Sequence, residues 1–89
     1  MRTVNIEIFS DATNAAVIRH PDRQFPGVLV QGDSLSSLCG DADELCELLG
    51  RGSEHFEEAN LLRNKLQSYL THYKSVLLEH GISLPFSDR

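Results

Sequence analysis

Apolar and polar residues alternate from Thr3 to Phe9, with Val4, Ile6 and Ile8 on one side and Thr3, Asn5 and Glu7 on the other. A two-residue period is that of a half-buried β-strand. Ser10 to Asn14 is a turn sequence, because Ser, Asp and Asn side chains bond to nearby backbone. Ala15 to Arg19 predicts a second strand, paired antiparallel with the first as a hairpin. Its apolar residues are consecutive, so one of its faces is expected to be covered. Pro21 and Pro26 then exclude a central strand over His20 to Pro26 and predict an ordered loop or an edge. Gly27 to Gln31 predicts a third strand.

Beyond Gly32 the period changes to that of a helix. Gly32 frees the chain to turn, and Asp33 or Ser34 suits the N-cap, where a side-chain oxygen accepts a first-turn amide. Leu35, Leu38, Ala42, Leu45 and Leu49 recur at steps of three and four, and Cys39, Cys46 and Leu48 widen the stripe. Gly40 interrupts the helix at a cost of about 1 kcal/mol relative to Ala, which predicts close packing or a local bend. Gly50 or Gly52 supplies a left-handed cap. Ser53 opens a second helix, with Glu54, Glu57 and Glu58 where the helix dipole favours anions. Its stripe is Ala59, Leu62, Leu66, Tyr69, Tyr73, Val76 and His80. Gly81 stops it, Ile82 is placed for the accompanying apolar contact, and Pro85 prevents resumption. Leu84 and Phe86 are expected to order part of the tail before it frays.

The expected fold is a single α+β domain: a small antiparallel sheet of about three strands in residues 1–31, a long antiparallel helical hairpin in 33–80, and a tail in 81–89. The first helix, of about 16 residues, measures about 24 Å and the second, of about 27, about 40 Å. The end of the second helix, with Tyr73, Val76, Leu77 and His80, is therefore expected to overhang the first. That overhang should lie on the sheet or pair with a second copy, the second case giving a homodimer through the second helix.

Charge is unevenly spread. The net charge is −5 over 89 residues. The middle third carries Asp33, Asp41, Asp43, Glu44, Glu47, Glu54, Glu57 and Glu58 against Arg51 alone. Binding to nucleic acid needs clustered Lys and Arg to replace counterions, and no such cluster exists, so no nucleic-acid partner is expected. No apolar run approaches the roughly 18 residues that span a bilayer, and the N-terminus lacks a signal-peptide pattern. The expectation is a cytoplasmic protein with no membrane partner. Cys39 and Cys46 lie a heptad apart on one helix, about 10 Å from each other. That is too far for a disulfide, so both are expected to be small buried hydrophobes.

Gly32-Asp33-Ser34-Leu35 looks like the nucleophile block of the Gly-Asp-Ser-Leu hydrolases, in the right strand-to-helix setting. That family resembles an α/β domain about twice this size, with a late Asp-x-x-His completing the triad; here no Asp precedes a His by three positions. Gly27 to Ser34 has the glycine spacing of a phosphate loop, but Asp33 stands where Lys is needed. His20 lies in the loop before the third strand, and His55, His72 and His80 are spread along the second helix without metal-ligand spacing. No enzyme, metal or cofactor is expected.

The run from Asn14 to Leu35, and within it Arg23-Gln24-Phe25-Pro26-Gly27 and Gln31-Gly32-Asp33-Ser34-Leu35, resembles a family of small stand-alone bacterial proteins of unknown function. The resemblance implies the strand-then-helical-hairpin order and a bacterial origin, and carries no catalytic residues. The expected function is a non-enzymatic protein-interaction module. Its most concrete version is immunity- or antitoxin-like, with Asp41, Asp43, Glu44, Glu47, Glu54, Glu57 and Glu58 steering a basic protein partner. The alternative is a small-ligand or regulatory module built on Arg19, His20, Asp22, Arg23 and the turn from Gln31 to Ser34.

Overall fold

Three strands precede two helices in a computed structural model that describes residues 1–88: β1 (Glu7–Ser10), β2 (Ala16–Arg19), β3 (Gly27–Leu29), α1 (Gly32–Leu49) and α2 (Phe56–Glu79). This is the expected α+β order. The chain forms two compact units, Met1–Gln31 and the residues from Gly32 onward.

The first unit is a meander in the order β1-β2-β3, antiparallel throughout. β1 is shorter than the alternation from Thr3 predicts. A strand extends only as far as its partner, and β2 offers four residues. Glu7 pairs with Arg19 and Ile8 with Ile18, after which the register shifts so that Ser10 meets Val17. Phe9 is thus the extra residue of a β-bulge. On the other side Val17 pairs with Val28 and Ile18 with Gly27. Central β2 is half-buried along its length while β1 and β3 are exposed. The turn between β1 and β2 is held by hydroxyls: Ala12 N–H donates to Ser10 Oγ, and Ala15 N–H to Thr13 Oγ1 at 3.3 Å.

The second unit is the helical hairpin. Gly50, at φ 72°, closes α1 by donating its N–H to the Cys46 carbonyl at 3.0 Å, the single-bond left-handed cap. Ser53 does not start α2. Its Oγ accepts the His55 N–H and its carbonyl accepts the Phe56 N–H. This local turn competes with helix, so α2 begins at Phe56. At the far end Gly81, at φ 67°, donates to the Leu78 carbonyl and Ile82 to the Leu77 carbonyl. That bond pair is the Schellman motif, and it sends the tail back along α2.

The α1 side of the seam between the helices is built from small residues. Gly32, Cys39, Ala42 and Cys46 are the buried residues of α1, and Ala59 and Leu70 those of α2. Both cysteines are free and buried. The large leucines predicted for the stripe sit beside this seam, with Leu38 and Leu45 exposed.

Candidate functional site

A helix turns 100° per residue, and the seam divides the remainder of α1 into two flanks. Asp43 and Glu47 follow Cys39 and Cys46 on one flank; Leu38 and Leu45 lie on the other. Glu44 and Asp41 fall on the outer side between them. All four acids are exposed. Asp41, Asp43, Glu44 and Glu47, with Ser37 and Gly40, line a shallow open depression. Gly40, half-buried, lines both this depression and a cavity under the tail. That gives a concrete place to a glycine the sequence leaves unexplained.

The seven acids named from the sequence form two groups. Asp41, Asp43, Glu44 and Glu47 surround α1. Glu54 lies in the turn between the helices, 3.3 Å from His55, because α2 begins after it. Glu57 and Glu58 occupy the first turn of α2 and complement its dipole. Among the described residues Asp43 meets Arg63 at 3.9 Å, while Asp41, Glu44, Glu47, Glu57 and Glu58 make no ion pair.

The loop after β2 has its charges engaged within the sheet unit. Arg19 contacts Glu7 at 2.6 Å, and its guanidinium lies 5.6 Å from the centre of the Phe9 ring. Asp22 contacts Arg2 at 3.1 Å and donates its backbone N–H to His20 Nδ1. Arg23 closes the turn by donating to the His20 carbonyl at 2.9 Å. The Arg23 side chain makes no ion pair among the described residues, and Gln31 is exposed just before α1. Asp33 Oδ1 accepts the Ser34 N–H at 2.9 Å, so Asp33 does serve a first-turn amide. It does so from the second position of a helix that begins at Gly32.

The flank that carries Asp43 also holds a group whose pairing the sequence does not assign, although Phe86 is expected there to order the tail. The Tyr73 and Phe86 rings stack with centres 6.4 Å apart and planes 26° apart. Beside them Lys74 Nζ meets Asp88 at 2.5 Å. Tyr73, expected to overhang α1, instead lies level with its first residue, Gly32, and with Lys74 it carries the tail. The Schellman turn reverses the chain, and Ile82, Leu84 and Phe86 supply apolar side chains along the irregular segment that follows it. Between tail and helices lies a cavity of about 120 Å³, lined by Ser36, Cys39, Asp43, Gln67, Lys74 and Phe86 among others. Burial and the Asp43 carboxylate push the Cys39 thiol above its ordinary pKa, against a smaller opposing pull from Lys74. A protonated thiol is a poor nucleophile.

No group of three or more His, Cys, Asp or Glu among the described residues is arranged to hold a metal ion. No helix among them is long and apolar enough to cross a membrane. Compared with known proteins, residues 1–86 match the model of a family of unknown function (DUF6959). No curated protein matches, and no solved structure matches.

Proposed function

The chain belongs to this family, DUF6959, over nearly its whole length, and we propose that it is a non-enzymatic protein-interaction module whose α1 acids engage a basic protein surface. The observation that carries this reading is the contrast in pairing. Arg2 with Asp22, Arg19 with Glu7 and Lys74 with Asp88 are matched within the fold. Asp41, Glu44 and Glu47 are exposed and unmatched among the described residues. Such a surface attracts a cationic partner over about a Debye length and orients the encounter. An immunity- or antitoxin-like protein, holding a basic toxin through charge complementarity, is the most concrete form of this function in a bacterial cytoplasm.

The test begins with a partner isolated on the immobilised chain and then purified. Its binding is measured between 50 and 200 mM salt (concentrations of roughly this order separate screened from unscreened pairs). Asp43→Asn, Glu44→Gln and Glu47→Gln together should weaken binding on the order of tenfold and flatten its salt dependence. Unchanged affinity with an unchanged salt slope would overturn the reading.

A further inference from the structure

Leu38 and Leu45 of α1, and Leu62 and Tyr69 of α2, are 45, 44, 51 and 65 % exposed. Within each helix the two residues are a heptad apart, the spacing that keeps a stripe on one face of a bundle. The hairpin register sets them side by side. Gly32 abuts Tyr73, and Asp43 reaches Arg63. Antiparallel helices in that register put Leu38 level with Tyr69 and Leu45 level with Leu62. The face opposite the tail cavity therefore presents two apolar layers. We propose that this face docks on the same face of a second copy, forming a four-helix bundle around a two-fold axis parallel to the helices.

Charge and area both point to this occupant. Asp41 on α1 and Lys65 on α2 border the apolar face on opposite outer sides, midway between the two layers. Both are exposed, and neither makes an ion pair among the described residues. An axis parallel to the helices lays α1 over the second copy's α2. It brings Asp41 of each copy opposite Lys65 of the other, twice. An axis perpendicular to the helices also superposes the layers, but sets Asp41 against Asp41 and Lys65 against Lys65. Charge therefore selects one arrangement and disfavours the other. The face is about 27 Å long, from the rise of α1, and about 20 Å wide, for two helices packed at ordinary separation. Two such faces bury on the order of 1,100 Å², which clears the roughly 1,000 Å² expected of a specific interface. The bundle leaves Asp43, Glu44 and Glu47 on its outside.

Sedimentation equilibrium of the full chain measures the dimer directly, as a species of twice the 9.9 kDa chain mass. Asp41→Lys and Lys65→Asp are surface changes that leave the seam intact. Each alone should raise the dimer dissociation constant on the order of tenfold, since two attractive pairs become repulsive. The double variant Asp41→Lys with Lys65→Asp should recover the original value. A monomer at about 100 μM, a concentration at which even a weak specific dimer is populated, would overturn the proposal and assign the face to another occupant. A dimer indifferent to the single swaps would overturn it equally, placing the contact elsewhere.

Discussion

The ring of Tyr73 occupies the space where a Cβ on residue 32 would stand: a methyl group built there collides with the ring's outer carbons and its hydroxyl. Gly32 is the first residue of α1 and is buried. The Gly32–Tyr73 contact fixes where α2 lies along α1. Phe86 stacks on the same ring and holds it in place.

Gly32→Ala should therefore lower stability by about 1–3 kcal/mol, the usual cost of overpacking, as read from urea unfolding followed by circular dichroism. Gly27→Ala is the control. A Cβ at Gly27 meets nothing within 4 Å and its φ is not positive, so its midpoint should barely move. Equal effects at the two sites would show that Tyr73 is not the cause.

Phe86→Ala should cost about 1–2 kcal/mol, combining a half-buried aromatic with a stacked pair. The near-ultraviolet signal of Tyr73 should change with it. If the stability and the tyrosine signal both stayed fixed, the tail would not be seated on α2.

Gly50 and Gly52 suit the cap equally well on paper. Only Gly50 has the left-handed φ of 72°. Gly50→Ala should destabilise by about 1–2 kcal/mol, the penalty of that conformation for a residue with a side chain, while Gly52→Ala costs little. The ranking of the two unfolding midpoints decides it.

Cys39 predicts a dependence on alkaline pH. Its pKa is higher in the folded chain than the ordinary 9.0, first because of burial and then because of Asp43. The native state thus holds the thiol proton more tightly than the unfolded state does. The stability this lends is complete below the ordinary value and is lost as pH rises through the folded one. Between pH 8 and about 10.5, a window chosen around the thiol range, the wild type should lose more stability than Cys39→Ala. Iodoacetamide at pH 8 should label Cys39 slowly in the native chain and quickly in urea. Rapid native labelling would contradict the buried thiol.

The sheet, the two helices and the acidic surface of α1 were legible in the sequence because each follows from a local period or composition. The lost portions are those that depend on a neighbour. Val4 and Ile6 alternate like strand residues, yet β1 begins at Glu7, since alternation cannot supply a pairing partner. Ser53 reads as a helix start, but its hydroxyl satisfies the His55 amide and builds a turn instead. The leucines of α1 dominate any hydrophobic tally, while the seam went to Gly32, Cys39, Ala42 and Cys46. Small side chains allow two helices to approach, and bulk is relegated to the flank. The tail pairing of Lys74 with Asp88 spans a chain reversal that no period encodes.

The bulge at Phe9 has a consequence for what the sheet can join. A flat, fully paired outer strand is a template on which a foreign strand can add by backbone hydrogen bonding. Here one outer strand is kinked at Phe9, with the register slipping between Ile8 and Ser10. The other is three residues long and follows Pro26, which has no amide hydrogen to offer. Despite the exposed side chains of Ile8, Phe9, Val28 and Leu29, neither rim is a landing strip for fibrous growth, so the protein can carry apolar strands on its surface without inviting polymerisation.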